Sequence, residues 1–176
     1  MTRVVAVVGP SGAGKDTLMA LACAASPDIR AARRVITRPA EAGGEDFDGV
    51  TEAEFARRLA AGDFALHWRA HGLGYGIPTA ELTGAGTVLM NLSRAVLAEA
   101  VARIPGLTVL LVTAPPQVLA ARLAGRARET AADQARRLDR AGFALPDGIP
   151  FRTVLNDGLP QQGLARFLDA LQPVRA

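Results

Sequence analysis

Residues 4–17 read VVAVVGPSGAGKDT and form the most informative stretch of the chain. The first five residues are apolar and mostly β-branched, which is typical of a buried strand in a parallel sheet. Glycines follow at three positions, and Lys15 begins a segment with apolar residues at helical spacing that continues to Ala25. A strand, a glycine-rich turn, a lysine and a helix in this order are the context that a Walker A phosphate-binding loop requires.

This loop predicts a site for nucleotide phosphates. Glycines let the backbone amides curl around phosphate oxygens, and the helix N-terminus adds the positive end of its dipole. The lysine would reach the β- and γ-phosphates as a compact point charge. The alternative, a glycine-rich turn without a ligand, leaves the register of strand, glycines, lysine and helix unexplained. The predicted nucleotide-binding residues are Gly9, Ser11, Gly12, Ala13, Gly14, Lys15, Asp16 and Thr17.

Asp16 departs from the Walker A pattern, in which Ser or Thr follows the lysine and its hydroxyl meets Mg²⁺. In this chain Thr17 comes one position later. A carboxylate is also a hard oxygen ligand that suits Mg²⁺. We therefore predict that Asp16 binds Mg²⁺, either directly or through a water molecule.

The composition restricts the class of protein. With 176 residues, of which 49% are hydrophobic, the chain has the length and composition of one globular domain. A single cysteine, Cys23, excludes an intramolecular disulfide and a cysteine-built zinc site. Of the 20 lysines and arginines only Lys15 is a lysine, yet the net charge is only +3. Because no aromatic residues are interleaved among the arginines, we expect no nucleic-acid partner.

Strands and helices alternate along the rest of the chain, which predicts an α/β fold with a mainly parallel sheet. Further strands are predicted at residues 34–37, 65–69, 74–78, 87–92, 108–113 and 153–156, with 65–69 and 74–78 in a small side sheet. Residues 40–49 are predicted to be a loop. Further helices are predicted at 93–103, 116–123, 122–140 and 159–171, and a capping box at Thr51 and Glu54 opens another.

The first apolar run is shorter than that of a signal peptide, and no segment approaches the ~18 apolar residues of a membrane span. We therefore expect a cytoplasmic protein without a membrane partner.

Several later segments resemble guanylate kinases, in the same order, and they include the lid arginines of that family at 122–123, 125–126 and 137–138. Residues 35–39 (VITRP) resemble the segment whose arginine grips the acceptor phosphate, and residues 44–46 (GED) the acidic loop after it. Residues 63–76 (DFALHWRAHGLGYG) resemble the segment around the base-binding residues, and 154–157 (VLND) the late segment near the adenine. The resemblance therefore covers nearly the whole chain.

Departures from the guanylate kinases concern the acceptor. His67 stands where that family has its guanine-reading glutamate, and a second arginine and a phosphate-binding tyrosine of the 40s loop are missing. The family's Asp-x-Asp at a strand end is here Asn91-Leu92-Ser93. An acceptor with phosphates but no base fits this pattern.

Four motifs extend the resemblance to a particular family: GKDT (14–17), TRPAEAGGED (37–46), ALHWRAHGLGYGIP (65–78) and N-x-SR (91–94). The chain closely resembles the ribose 1,5-bisphosphate phosphokinase family. These relatives of guanylate kinase make 5-phosphoribosyl 1-diphosphate (PRPP) from ATP and are associated with bacterial phosphonate breakdown. The resemblance therefore implies ATP and Mg²⁺ as cofactors and a small phosphorylated sugar as substrate.

The resemblance also implies an architecture. The fold would be the P-loop NTPase fold of the nucleoside monophosphate kinase type, with a central parallel sheet flanked by helices. A single domain would span 1–176, with its core at 1–33, 79–121 and 145–176, an acceptor-binding region at 34–78 and a helical lid at 122–144.

Roles for individual side chains follow from the same resemblance. The lid arginines Arg126 and Arg137 would act with Lys15 as catalytic residues, because an arginine fork binds phosphate oxygens. Asn156 would face the adenine. The predicted acceptor-binding residues are Arg38, Glu45, Asp46, His67, Arg69, Tyr75 and Arg94.

Two alternatives remain open from the sequence. A kinase for GMP or another nucleotide would share most of these features, and His67 argues against it. A catalytically inactive guanylate kinase-like binding module usually lacks the phosphate loop, whereas Gly14 and Lys15 are intact here.

Overall fold

A computed structural model describes residues 2–39, 46–124 and 144–172 of the chain. Its strands are β1 (Arg3–Val8), β2 (Ile29–Ala31), β3 (Arg34–Ile36), β4 (Phe47–Gly49), β5 (Phe64–Ala70), β6 (Leu73–Pro78), β7 (Thr87–Asn91), β8 (Thr108–Thr113) and β9 (Arg152–Leu155). Its α-helices are α1 (Lys15–Ala25), α2 (Glu52–Ala60), α3 (Leu97–Arg103), α4 (Pro116–Ala124) and α5 (Pro160–Leu171). Short 3₁₀ helices lie at Thr79–Leu82 and Arg94–Val96.

The central sheet is parallel and has the strand order β2-β7-β1-β8-β9. The strand β1 lies in the middle, and its residues Val5 to Val8 are fully buried. Both neighbours of β1 end at the same edge of the sheet, so the loop after β1 and the residues after β7 lie close together. The predicted α/β class with a central parallel sheet is confirmed.

Helices and strands cover both faces of this sheet. Val5 and Val7 belong to a core that includes Phe167 of α5, with α1 packed on the same face. Ala6 and Val8 belong to a second core with α3, β5 and β6 on the opposite face. The alternation along β1 therefore anchors the phosphate loop between two packed layers.

A second sheet has the order β4-β3-β6-β5 and is built by residues between 34 and 78, the range predicted to bind the acceptor. The strands β3 and β4 are parallel, whereas β6 is antiparallel to both β3 and β5. In the β5–β6 ladder Trp68 lies opposite Tyr75. The predicted side sheet is confirmed, with two strands more than the two predicted.

Some predictions of individual helices and strands are confirmed, and others differ from the structure. Thr51 caps α2, and its hydroxyl accepts a 3.1 Å hydrogen bond from the amide of Glu54, as the capping box predicts. The strands β2 and β4 were not predicted, and β4 lies inside the predicted loop. The predicted helix at 93–103 begins with a 3₁₀ turn at Arg94–Val96 before α3.

No helix in the described ranges is long and apolar enough to cross a membrane. Of the predicted lid, residues 125–143 lie outside the described part of the chain.

Candidate active site

The phosphate loop closes tightly against β8 and the start of α1. A Cβ atom on Gly9 would lie 2.0 Å from the carbonyl oxygen of Val112, so only glycine fits there. Gly14, the N-cap of α1, has a φ of +88°, and a Cβ atom on it would lie 2.5 Å from Nδ2 of Asn156. These contacts fix the loop with its concave side at the carboxyl edge of the sheet.

Lys15 lies across the loop that it follows. Its Nζ atom donates hydrogen bonds to the carbonyl oxygens of Gly9 at 2.8 Å and Pro10 at 3.1 Å. The ammonium group therefore lies over the loop, beside the space where a phosphate chain would bind.

A cavity of about 370 Å³ lies between this loop, the end of β7 and the second sheet. Its wall carries the basic side chains of Lys15, Arg34 and Arg94, and Asp16 is the one acidic side chain among the described residues that line it. Such a cavity suits a ligand with more than one anionic group. The lining residues are Gly9, Pro10, Ser11, Lys15, Asp16, Arg34, Trp68, Ala70, His71, Tyr75, Asn91, Leu92, Ser93 and Arg94.

Asp16 is positioned by a residue of a neighbouring strand. Nδ2 of Asn91, the last residue of β7, donates a 2.5 Å hydrogen bond to Oδ1 of Asp16. No group of three or more His, Cys, Asp or Glu side chains in the described residues forms a metal site. Mg²⁺ is commonly held by one or two carboxylates together with substrate phosphates, so a single aspartate beside the phosphate loop fits it.

Aromatic rings and an arginine form the wall opposite the loop. The rings of Trp68 and Tyr75 are stacked, with centroids 5.3 Å apart and planes 7° apart. The Cζ atom of Arg34 lies 5.6 Å from the centroid of the Tyr75 ring. The Nη1 atom of Arg34 donates a 3.1 Å hydrogen bond to the carbonyl oxygen of Asn91. Arg34 is only 9% exposed.

Of the predicted acceptor residues, Tyr75 and Arg94 line this cavity. Arg69 does not, because its guanidinium forms hydrogen bonds of 2.9 and 2.7 Å with the carboxylate of Glu52 on α2. Hydrogen bonding from Arg69 is the main reason why the pKa of the Glu52 carboxyl is lowered. His67 alternates with Trp68 along β5 and lies opposite Gly76 in the ladder, so it does not line the cavity either.

Two other predicted acceptor residues, Arg38 and Asp46, lie before and after residues 40–45. The Cζ atom of Arg38 lies 4.3 Å from the centroid of the Phe47 ring. The carboxylate of Asp46 is exposed and accepts a 3.1 Å hydrogen bond from Nε of Arg33. Neither Arg38 nor Asp46 lines the cavity. Glu45 lies outside the described residues, as do Arg126 and Arg137.

A second cavity of about 310 Å³ lies on the far side of the phosphate loop. It brings the predicted Asn156 together with Gly12, Gly14 and Thr17. The buried Nδ2 atom of Asn156 donates a 2.8 Å hydrogen bond to the carbonyl oxygen of Ala13. Asn156 thus braces the loop as well as lining this cavity.

The Asn156 backbone is itself tied to α4. The Nη2 atom of Arg122 donates a 2.9 Å hydrogen bond to the carbonyl oxygen of Asn156. The described end of the predicted lid therefore connects directly to the loop-bracing residue.

Sequence reasoning missed several lining residues of the cavity of about 370 Å³, among them Arg34, Trp68, His71 and Asn91. For Arg34 a signal existed in the alternation of β3. Val35 packs with Phe55 and Phe64, so the side chains of Arg34 and Ile36 point to the other face.

Comparisons with known proteins establish the family and the fold of the chain. No protein-family model matches the chain. The ribose 1,5-bisphosphate phosphokinase PhnN of Ruegeria sp. (strain TM1040) is 58% identical, over 98% of this chain and 93% of the relative. A bifunctional ribose 1,5-bisphosphokinase-thymidine phosphorylase of Cupriavidus necator is 51% identical over 94% of this chain, which spans 28% of that longer relative.

Among solved structures, guanylate kinase from Anaplasma phagocytophilum has the same fold, with a TM-score of 0.65 at 16% identity. The match covers 97% of this chain and 87% of that chain. The structural likeness establishes the predicted P-loop fold of the nucleoside monophosphate kinase type, and the identity of 58% establishes the family within it. By its identity of 58% over 98% of its length to one member, the chain belongs to the ribose 1,5-bisphosphate phosphokinase family.

Proposed function

We propose that this protein transfers the γ-phosphoryl group of ATP to ribose 1,5-bisphosphate and forms PRPP and ADP. The observation that carries the proposal is the cavity of about 370 Å³, with the phosphate loop on one wall and Arg34, Arg94 and Tyr75 on the others. Membership of the family supports the sugar as acceptor, since relatives of nearly the same length are named ribose 1,5-bisphosphate phosphokinase.

The reaction needs no general base. An oxygen of the acceptor's 1-phosphate is already ionised at neutral pH and attacks the γ-phosphorus of ATP. A new P–O–P bond forms as the bond between the γ-phosphorus and its bridging oxygen breaks, and ADP leaves with that electron pair. Catalysis then depends on positioning and on neutralising charge, which the cations of this cavity supply.

The loop residues would bind ATP. The backbone N–H groups of the loop after Pro10, which itself has none, would surround the β-phosphate, while Lys15 would turn from the loop carbonyls toward the β- and γ-phosphates. Thr17 and Asn156 line the second cavity, which lies on the side of the loop where the rest of the nucleotide would extend.

Asp16 would hold Mg²⁺ together with phosphate oxygens of the nucleotide. When bound, Mg²⁺ supplies charge neutralisation between the phosphates. Asn91 orients the Asp16 carboxylate through its 2.5 Å hydrogen bond.

The lid arginines Arg126 and Arg137 remain predictions from the family resemblance. We propose that they close over the transferring group and shield it from water. The predicted contacts of Arg38, Glu45 and Asp46 with the acceptor also remain proposals, and so does that of His67. The reaction would take place in the cytoplasm, and the family resemblance suggests a role in phosphonate catabolism.

Acceptor profiling tests this function. Purified protein is incubated with ATP and Mg²⁺ and with ribose 1,5-bisphosphate, ribose 5-phosphate or GMP, and ADP and PRPP are both measured. We expect equimolar ADP and PRPP with the bisphosphate only. ADP release with GMP but not with the bisphosphate would favour a nucleotide kinase, and no turnover with any acceptor would favour a binding module.

A further inference from the structure

We propose that Arg34 is an acceptor-binding residue of this site and that it determines specificity for a phosphorylated sugar. The identity of the sugar in this inference rests on the proposed function. The contact itself, between a guanidinium and a phosphate, does not depend on that function.

The position of Arg34 in the fold supports this role. It begins β3 in the second sheet, while its hydrogen bond goes to the carbonyl oxygen of Asn91 at the end of β7 in the central sheet. The side chain therefore spans the junction between the acceptor sheet and the nucleotide sheet. A group bound there would lie between the two substrates' binding regions.

The geometry of the guanidinium suits a phosphate. A guanidinium presents its N–H donors in a plane that matches two phosphate oxygens. The 3.1 Å bond to Asn91 fixes the orientation of that plane, and the Tyr75 ring lies 5.6 Å away. Because Arg34 is only 9% exposed yet lines the cavity, its charge acts in a partly desolvated place where electrostatic attraction is strong.

The neighbouring rings argue against a base as the ligand of this wall. Trp68 and Tyr75 stack on each other at 5.3 Å, so their facing surfaces cannot sandwich a purine. With Arg34 beside Tyr75 and Arg94 on the same cavity, the wall offers charge and hydrogen-bond donors. These groups suit the phosphates of a small sugar better than a base.

Equilibrium binding tests this inference separately from turnover. The phosphate loop is saturated with a non-hydrolysable ATP analogue, and ribose 1,5-bisphosphate or ribose 5-phosphate is titrated by calorimetry. The proteins compared are wild type, Arg34→Gln, Arg34→Lys and the matched control Arg57→Gln. Arg57 is an exposed arginine of the same region that pairs with Glu54 on α2.

We expect Arg34→Gln to weaken binding of the bisphosphate roughly 10- to 100-fold, the range for losing charge-assisted hydrogen bonds. Affinity for the ATP analogue should stay within about twofold, and Arg57→Gln should bind both ligands like wild type. If Arg34→Gln loses affinity for ribose 5-phosphate to a similar extent, Arg34 binds the 5-phosphate. If its affinity for ribose 5-phosphate is unchanged, Arg34 binds the 1-phosphate of the bisphosphate.

Bisphosphate binding by Arg34→Gln at the wild-type level would overturn the inference, and so would an equal loss of affinity for the ATP analogue. If Arg34→Gln does not fold, Arg34→Lys decides, because lysine keeps the charge but not the planar fork. Wild-type affinity in Arg34→Lys would then overturn the role of the guanidinium. Failure of wild type to form PRPP would refute the proposed function and leave this binding comparison intact.

Discussion

The Nδ2 atom of Asn91 donates a 2.5 Å hydrogen bond to Oδ1 of Asp16, and this bond joins the end of β7 to the first turn of α1. In the Walker A pattern a hydroxyl follows the lysine, and guanylate kinases have acidic residues at the strand end. This chain has a carboxylate after the lysine and an amide at the strand end. Compared with both patterns, the carboxylate of this site lies on the helix, directly after Lys15, and the strand end contributes an amide.

Replacing Asn91 by alanine should weaken the use of Mg²⁺. Without the hydrogen bond the Asp16 carboxylate is less well oriented, and partners of this kind change metal affinity by about tenfold or more. Initial rates measured against MgCl₂ at fixed ATP should show a half-maximal concentration raised about tenfold. Asp169→Asn, a change on the exposed side of α5, serves as the control, and an unchanged Mg²⁺ dependence in Asn91→Ala would contradict the role given to this bond.

Replacing Lys15 by alanine should abolish nearly all turnover and preserve the fold. The variant loses two hydrogen bonds to loop carbonyls and the charge that would meet the γ-phosphate. We expect kcat to fall by about a thousandfold, as for other losses of a group that stabilises developing charge. Steady-state kinetics and circular dichroism check this together. Near-normal turnover in a folded Lys15→Ala protein would refute the assignment of the phosphate loop.

The arginines Arg94 and Arg69 should behave differently, although the sequence suggested one role for both. Arg94 lines the cavity, whereas Arg69 pairs with Glu52 and its Cζ atom lies 5.6 Å from the centroid of the Phe55 ring. We expect Arg94→Ala to raise KM for the bisphosphate about tenfold or more, the effect of losing one charge-assisted hydrogen bond. Arg69→Ala should leave KM within about twofold and lower the melting temperature slightly.

The two variants are each other's control, since both remove one arginine that was predicted to bind the acceptor. Equal effects on KM would show that Arg69 reaches the acceptor, and the Arg69–Glu52 pair would then have to open during binding.

Acid should lower the stability of the fold through Glu54 on α2. Hydrogen bonds from Arg57 and then Arg58 lower the pKa of the Glu54 carboxyl from its ordinary 4.5 to about 2. A carboxyl with a lowered pKa stabilises the fold above its unfolded pKa, and this contribution disappears as the pH falls from about 4.5 to about 2. Melting temperatures of wild type should therefore fall across this range, and those of Glu54→Gln should fall less steeply. If the melting temperatures of wild type and Glu54→Gln fall equally steeply with decreasing pH, the arginines do not bind this carboxylate in solution.

Much of the fold could be predicted because its signals are local. The apolar run before Gly9, the lysine after Gly14 and the capping box at Thr51 are each determined by a few neighbouring residues. The strands β2 (IRA) and β4 (FDG) escaped prediction because each has three residues and lacks the consecutive β-branched residues that indicated β3 (RVI). Their place in the sheets depends on the strands beside them.

The composition of the cavity was harder to predict because it depends on how two sheets meet. Along β5, His67 and Trp68 point to opposite faces, and the buried Leu66 places Trp68 and Ala70 on its own side. A shift of β5 by one residue in register would therefore place His67 instead of Trp68 on the cavity wall. The contact of Arg34 with Asn91 joins residues 57 positions apart, and no pattern in the sequence relates them.

The stacked pair in the cavity wall has a practical consequence. Trp68 is the only tryptophan of the chain, and Tyr75, on which it stacks, is the only tyrosine. All indole emission of the protein therefore originates at the wall where the acceptor is proposed to bind. Intrinsic fluorescence excited at the indole band would therefore follow occupancy of this cavity in real time and without a label.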